Sequence, residues 1–226
     1  MEALTLARDP DEPDANQDSA ACDADRGVAV IADGVGGSLA PRDWAAELTG
    51  ATLEAVVTSL EDALADAWVR SVSEWTRHRP PPKVPLGVDL KASASTLGIF
   101  ATDAHHWWFA AVGDVNLMHL RSDGSVAMRS SLQSRGQYDS VPGAFTDRST
   151  SAEVRTSQGV CGSGDSFFLF TDGLGQWLVE HTDEATLDRF CRMDEAAYRA
   201  FVDSCRADHG LMSDDATLVR IQVLSA

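Results

Sequence analysis

Gly27-Val28-Ala29-Val30-Ile31-Ala32-Asp33-Gly34-Val35-Gly36-Gly37 begins as a short apolar, β-branched run and ends in a carboxylate followed by glycine. The run over 27–32 predicts a buried strand. An Asp at the end of such a strand is held still, while the glycine after it lets the backbone bend away. Two other stretches place acid beside an apolar run: Thr171-Asp172-Gly173 after 167–170, and Ser213-Asp214-Asp215-Ala216-Thr217 before 218–223. Three such ends, converging, would bind hard divalent cations through oxygen alone.

Outward from these strands, the chain reads as mostly antiparallel strands with helices inserted early and late. Pro41 can open a helix, because its missing donor is not needed in the first turn. Trp44, Leu48, Ala51 and Ala55 then recur at helical spacing. Ser59 and Asp62 resemble a capping box for a second helix with the stripe Leu60, Leu64, Trp68, Val72 and Trp75. Arg79-Pro80-Pro81-Pro82 stops it, and a loop runs on to Ala92. Strands are expected over 95–101, 106–112 and 116–120, with turns at Gly113-Asp114 and Ser122-Asp123-Gly124. Short connections of this kind mean antiparallel pairing. The stretch 130–150 has no clear period, and so long an irregular segment reads as either functional or mobile. Further strands are expected over 152–156, 167–171 and 217–224, a short helix over 174–178, and two more over 184–206 around Met193-Asp194. The fold class expected is α+β, a sandwich of two antiparallel sheets flanked by helices, in one domain over 1–226.

The 226 residues suffice for one buried core, and 44% hydrophobic with 23% charged residues is ordinary for a folded chain. A formal net charge of -17 is not ordinary, and it argues against nucleic acid and anionic membrane as partners. Its plainest consequence is solubility, with bound metal offsetting part of the charge. Cys22, Cys161, Cys191 and Cys205 show no C-x-x-C spacing, which suggests reduced thiols. Residues 1–18 are acidic and polar, unlike a leader, and no run approaches a membrane span; a cytoplasmic monomer is expected.

Asn16-Gln17-Asp18, Ala32 to Gly37, Ser95-Thr96, Gly113-Asp114, Thr171-Asp172-Gly173 and Asp214-Asp215-Ala216-Thr217 resemble, in order and spacing, the motif series of the metal-dependent protein phosphatases, the PPM or type 2C family, in its compact bacterial form. The resemblance covers essentially the whole chain. It implies that Asp33 bridges two Mn2+ or Mg2+ ions and that the Gly34 carbonyl ligates one. Asp172 and Asp214 would complete the other ion's shell, Asp18 would act on the metals through water, and Asp114 would help hold a third ion. Hydroxide held between two cations would attack phosphorus in line, with no phosphoenzyme and so no nucleophilic Cys or Ser. Family members carry an Arg shortly before Asn-x-Asp to grip phosphate, and Arg8 is the only upstream arginine here. Val35 stands where eukaryotic relatives have His, Val115 follows Gly-Asp in place of Ser, and Asp147-Arg148-Ser149 stands where Asp-His-Ser is common.

Other conspicuous residues have plainer readings. His105 and His106 are adjacent on a strand and point to opposite faces, so they cannot chelate one metal. Gly164-Asp165-Ser166 reads as a tight turn, and Trp44, Trp68 and Trp75 as core anchors. Residues 9–14 form a solvated acidic loop. Asp214 is taken as the ligand and Asp215 as its neighbour. The function implied is a serine/threonine protein phosphatase with phosphoprotein substrates and a cognate kinase. A partner-switching regulatory phosphatase acting on an anti-sigma antagonist, a silent phosphoprotein-binding relative and a small-molecule phosphoesterase are the alternatives.

Overall fold

A computed structural model of the chain describes residues 1–9, 11–55, 92–129, 144–147, 153–181, 184–208, 210–211 and 213–224. The second helix expected from Ser59 onward, the proline stop after it and most of the 130–150 segment lie outside the described residues. One five-stranded antiparallel sheet has the order β1 (Glu2–Leu6), β12 (Ala216–Gln222), β11 (Ser166–Phe170), β7 (Asn116–Leu120), β8 (Val126–Arg129). The other has the order β10 (Arg155–Val160), β6 (His106–Val112), β5 (Leu97–Thr102), β3 (Val28–Asp33), β2 (Asp18–Asp23). A two-stranded ladder joins β4 (Ala94–Ser95) to β9 (Phe145–Thr146).

Strand parity sorts the apolar residues into layers. On β3, Ala29 and Ile31 face the second sheet, meeting Phe167 and Leu169 of β11 and Val219 and Ile221 of β12. The alternate residues Val28, Val30 and Ala32 pack on Trp44 and Leu48 of α1 (Pro41–Ala55). Phe168 and Phe170 point the other way, into α2 (Asp172–His181), α3 (Glu184–Arg192) and α4 (Glu195–Asp208). Helices on both outer faces explain why these antiparallel strands are apolar throughout, where a sheet with one wet face would alternate.

Individual polar side chains lock the layers together. Trp44 Nε1 donates to the Phe145 carbonyl at 3.0 Å, tying α1 to β9. Arg220 of β12 donates through Nη1 to the carbonyls of Phe190 and Met193, both at 2.9 Å. That satisfies the end of α3 and fixes the break at 193–194, where the sequence places it. Among the described residues no helix is long and apolar enough to cross a membrane, and the four cysteines are free thiols.

Several elements differ from the sequence expectation. The strand expected over 152–156 forms instead as β10, whose residues alternate half-buried and exposed against β6. Its polar composition is tolerated because it is an edge strand, and apolar patterning cannot reveal it. Short apolar content likewise hid β1, β2, β8 and β9, and the helix expected from Leu174 begins at Asp172. In α1, Thr52 takes the buried position that the stripe assigned to Ala51.

Gly164-Asp165-Ser166 is the turn expected, and it also closes one end of the sandwich. The Asp165 carboxylate accepts from Ser122 N–H at 2.9 Å and Gly162 N–H at 3.1 Å, and lies 2.9 Å from His119 Nε2. Burial pushes this carboxyl up, but His119 and the two N–H groups more than offset it and hold it below the usual carboxylate range. A lowered folded-state value means stability present above about pH 4 and lost as the pH falls through the lowered value. Replacing Asp165 by Asn should therefore cost about 2 kcal/mol at neutral pH. The same variant should flatten the acid limb of a denaturation series, since its amide cannot titrate.

Candidate active site

The acidic residues collect at the other end of the sandwich. On β3 the inward parity of Ala29 and Ile31 continues to Asp33, and on β2 that of Cys22 and Ala20 continues to Asp18. Asp18 and Asp33 are register partners, so their side chains stand side by side on one face. The strands of the opposite sheet end there in hydroxyls. Thr171 Oγ1 donates to Asp18 Oδ2 at 2.9 Å and accepts from Thr217 N–H at 3.1 Å. The apolar layer thus ends in a polar floor made by both sheets.

Each acid is held by its backbone. The Asp33 carbonyl accepts from Ser95 Oγ at 2.7 Å and Thr96 N–H at 2.8 Å, while Asp33 N–H donates to Thr96 Oγ1 at 3.2 Å. Ser95-Thr96 therefore clamps the Asp33 peptide. A Cβ on Gly34 would lie 2.6 Å from the Pro41 backbone, so the α1 N-terminus closes on this loop only because the residue is glycine. Asp172 is the first residue of α2, where the helix dipole favours a carboxylate. A Cβ on Gly173 would lie 2.0 Å from the Asp215 carbonyl oxygen, which brings the Asp172 and Asp214 segments into contact. Asp114 is buried in the turn after β6, and Arg155 Nη2 donates to the Gly113 and Val115 carbonyls on either side of it at 2.5 and 3.0 Å.

Asp214 and Asp215 have different surroundings. Asp214 is half-buried among the acids, and its Oδ1 accepts the Asp215 N–H at 2.9 Å. Asp215 is only 4% exposed, and both its oxygens are engaged by backbone, from Arg8 N–H at 2.8 Å and Gln17 N–H at 2.7 Å. That leaves Asp214 as the better-placed candidate ligand.

Electrostatics records how closely the acids approach. Burial raises Asp33 well above the usual carboxylate range, and Asp18, Asp172, Asp114 and Asp214 raise it further. Burial also lifts Asp172 to about 8, reinforced by Asp114, Asp214 and Asp18. Asp18 reaches about 7, through burial and the Asp215 charge, against hydrogen bonds from Thr217, Thr171 and Asp33. Asp214 is raised mainly by burial, while Arg8 and Arg206 oppose the shift. Acids that raise one another in this way are relieved by a cation.

The donor set among the described residues is all oxygen, carboxylates and backbone carbonyls with the Thr171 and Thr217 hydroxyls beside them, and it fits hard divalent cations. Among the described residues, no three His, Cys, Asp or Glu side chains stand tightly enough to share one ion by themselves. Mg2+-type sites draw on only one or two carboxylates, water and phosphate oxygens supplying the rest. Arg8 lies at the rim, exposed, near enough to stabilise the ionised Asp214. His105 and His106 are exposed at the far end, with His106 paired to Asp103. Sequence reasoning assigned no part in the site to Arg206 or to the Thr171 hydroxyl. Arg206 reaches in from α4, donating to the Ala7 carbonyl at 3.0 Å and to the Asp214 carbonyl.

A family model described as protein phosphatase 2C matches residues 11–207. Comparison with curated proteins gives no match. Among solved structures, the chain is similar to PppA, a key regulatory component of T6SS in Pseudomonas aeruginosa, at 20% identity and TM-score 0.71 over 99% of this chain and 96% of that one. It is similar to the Mycobacterium tuberculosis serine/threonine phosphatase PstP/Ppp, at 16% identity and TM-score 0.71 over 99% and 98% of the two chains. The catalytic domain of serine/threonine protein phosphatase PstP with two manganese ions matches at 18% identity and TM-score 0.69, over 99% and 97%. These likenesses establish the shared two-sheet fold.

Carboxylates with raised folded-state values stabilise the fold below the unfolded value near pH 4, and that stability is lost as the pH rises through about 7 and 8 for Asp18 and Asp172. In EDTA, the melting temperature should therefore fall between about pH 5 and pH 8.5, and Mn2+ should restore more at the higher pH. Gly173→Ala should cost about 1–3 kcal/mol in denaturant unfolding, because the added methyl meets backbone.

Proposed function

Because this chain belongs to the protein phosphatase 2C family, we propose that it is a metal-dependent serine/threonine protein phosphatase. The observation that carries this reading is the set of mutually repelling acids, Asp18, Asp33, Asp114, Asp172 and Asp214, at one end of the inter-sheet layer. Two Mn2+ or Mg2+ ions would be held by Asp33, the Gly34 carbonyl, Asp172 and Asp214. Asp114 would contribute to a third ion and Asp18 would act through water. When bound, such ions acidify water and offset the charge on phosphoryl oxygens.

The chain's own groups supply the rest. Arg8 presents a planar donor fork at the rim, suited to two oxygens of a phosphate monoester. Its exposed position suits a phosphorylated residue on a protein surface, with a cognate kinase supplying that phosphate. Thr171 and Thr217 orient the Asp18 carboxyl beside Asp33. Ser95 and Thr96, hydrogen-bonded to the Asp33 backbone, keep it from moving as charge develops.

Purified protein with Mn2+ should release phosphate from a phosphothreonine peptide. EDTA should abolish the turnover, and Asp33→Asn should lower it at least ~100-fold. Absence of turnover in folded, Mn2+-loaded protein would reject a general phosphatase. It would leave a dedicated partner-switching substrate, or phosphoprotein binding without hydrolysis.

A further inference from the structure

The peptide unit between Ala7 and Arg8 leaves the end of β1 and is gripped on both sides. Its carbonyl accepts from Arg206 Nη1 at 3.0 Å, and its N–H donates to Asp215 Oδ1 at 2.8 Å. Each gripping group also holds a second segment of the site. Arg206 Nη2 donates to the Asp214 carbonyl, and Asp215 Oδ2 accepts from Gln17 N–H at 2.7 Å, one residue before Asp18. Asp215 is 4% exposed and Ala7 6%, so these contacts are largely shielded by the fold. By contrast, Arg8 itself is exposed, and its charge favours the ionised form of the nearby Asp214.

We propose that Asp215 and Arg206 are positioning residues for Arg8, which fix the one peptide unit from which its side chain springs. This rests on the reading of Arg8 as the phosphate-gripping group. The chemistry of both residues matches the task. Two backbone N–H donors converge on Asp215, one for each oxygen, and an amide would offer a single acceptor and turn its NH2 on the other donor. The Arg206 fork spans two carbonyls from different segments, which a lysine's single ammonium cannot reproduce. With the peptide plane fixed, less freedom is lost when Arg8 closes on phosphate.

A double-mutant cycle tests this, using inorganic phosphate as the probe and calorimetry at saturating Mn2+, with Mn2+ titrated alone for each variant. Wild type, Arg8→Ala, Asp215→Asn and the double variant are compared. Asp215→Asn should weaken phosphate binding about 10-fold. The double variant should bind no more weakly than Arg8→Ala, because Asp215 acts through Arg8. Fully additive losses, or unchanged phosphate affinity in Asp215→Asn, would overturn the proposal. Equal affinity of Arg8→Ala and wild type would overturn it too, by removing Arg8 from phosphate binding. Intact phosphate binding and coupling without phosphopeptide turnover would uphold the positioning pair and sink only the phosphatase reading. Should Asp215→Asn fail to fold, Arg206→Lys takes its place in the same cycle, with the same coupling expected.

Discussion

The Asp18–Asp33 pair sets the terms for the rest of the structure. Two carboxylates stand side by side at the end of an apolar layer, with Asp172, Asp114 and Asp214 adding charge of the same sign. Burial makes each ionised form costly, and proximity makes the sum more so. Such a group can stay together only where the backbone is held independently of the side chains. Clamps on the Asp33 peptide, the Gly173 contact and Arg155 behind Gly113 provide that hold. Their donors and acceptors engage main chain, which leaves carboxylate oxygens available to cations.

The outer helices are part of this arrangement as well as its cover. α1 presses its first turn onto Gly34, which limits how far the loop after Asp33 can open. α4 packs Tyr198, Phe201, Val202 and Cys205 on the sheet that carries β12, and the same helix sends Arg206 beneath Asp214 and Ala7. Packing on one face of a helix thereby fixes chemistry at its end. A shift of α4 would be felt at the rim of the site before it was felt in the inter-sheet layer.

Much of this was legible from residue order. The runs before Asp33 and Asp172 and after Asp215 are apolar and β-branched or aromatic, so they had to be buried, and the glycines after two of the acids marked where the chain turns. What could not be read was anything depending on a distant partner. β2 is Asp18-Ser19-Ala20-Ala21-Cys22-Asp23, a poor strand by composition, and it exists because β3 offers it a ladder. β10 is equally polar and is displaced from the expected span by its register on β6. Asp215 looked like a neighbour of the ligand, and only contacts across about 200 positions of chain reveal what its oxygens do. Arg206 carried no signal at all, since an arginine near the end of an amphipathic helix is ordinary.

The place of β12 between β1 and β11 has a consequence for how the protein is made. In this ladder β1 pairs with β12, more than two hundred residues downstream, so Arg8 has no fixed origin while the ribosome is still translating the middle of the chain. The sheet that carries β3 can assemble earlier, from segments that all precede residue 161. Asp18 and Asp33 thus lie on strands whose ladder partners are made early, whereas the Arg8 end of β1 acquires its ladder partner only with β12. A nascent chain arrested before residue 215 would lack both the ladder partner of β1 and the carboxylate that holds the Arg8 N–H.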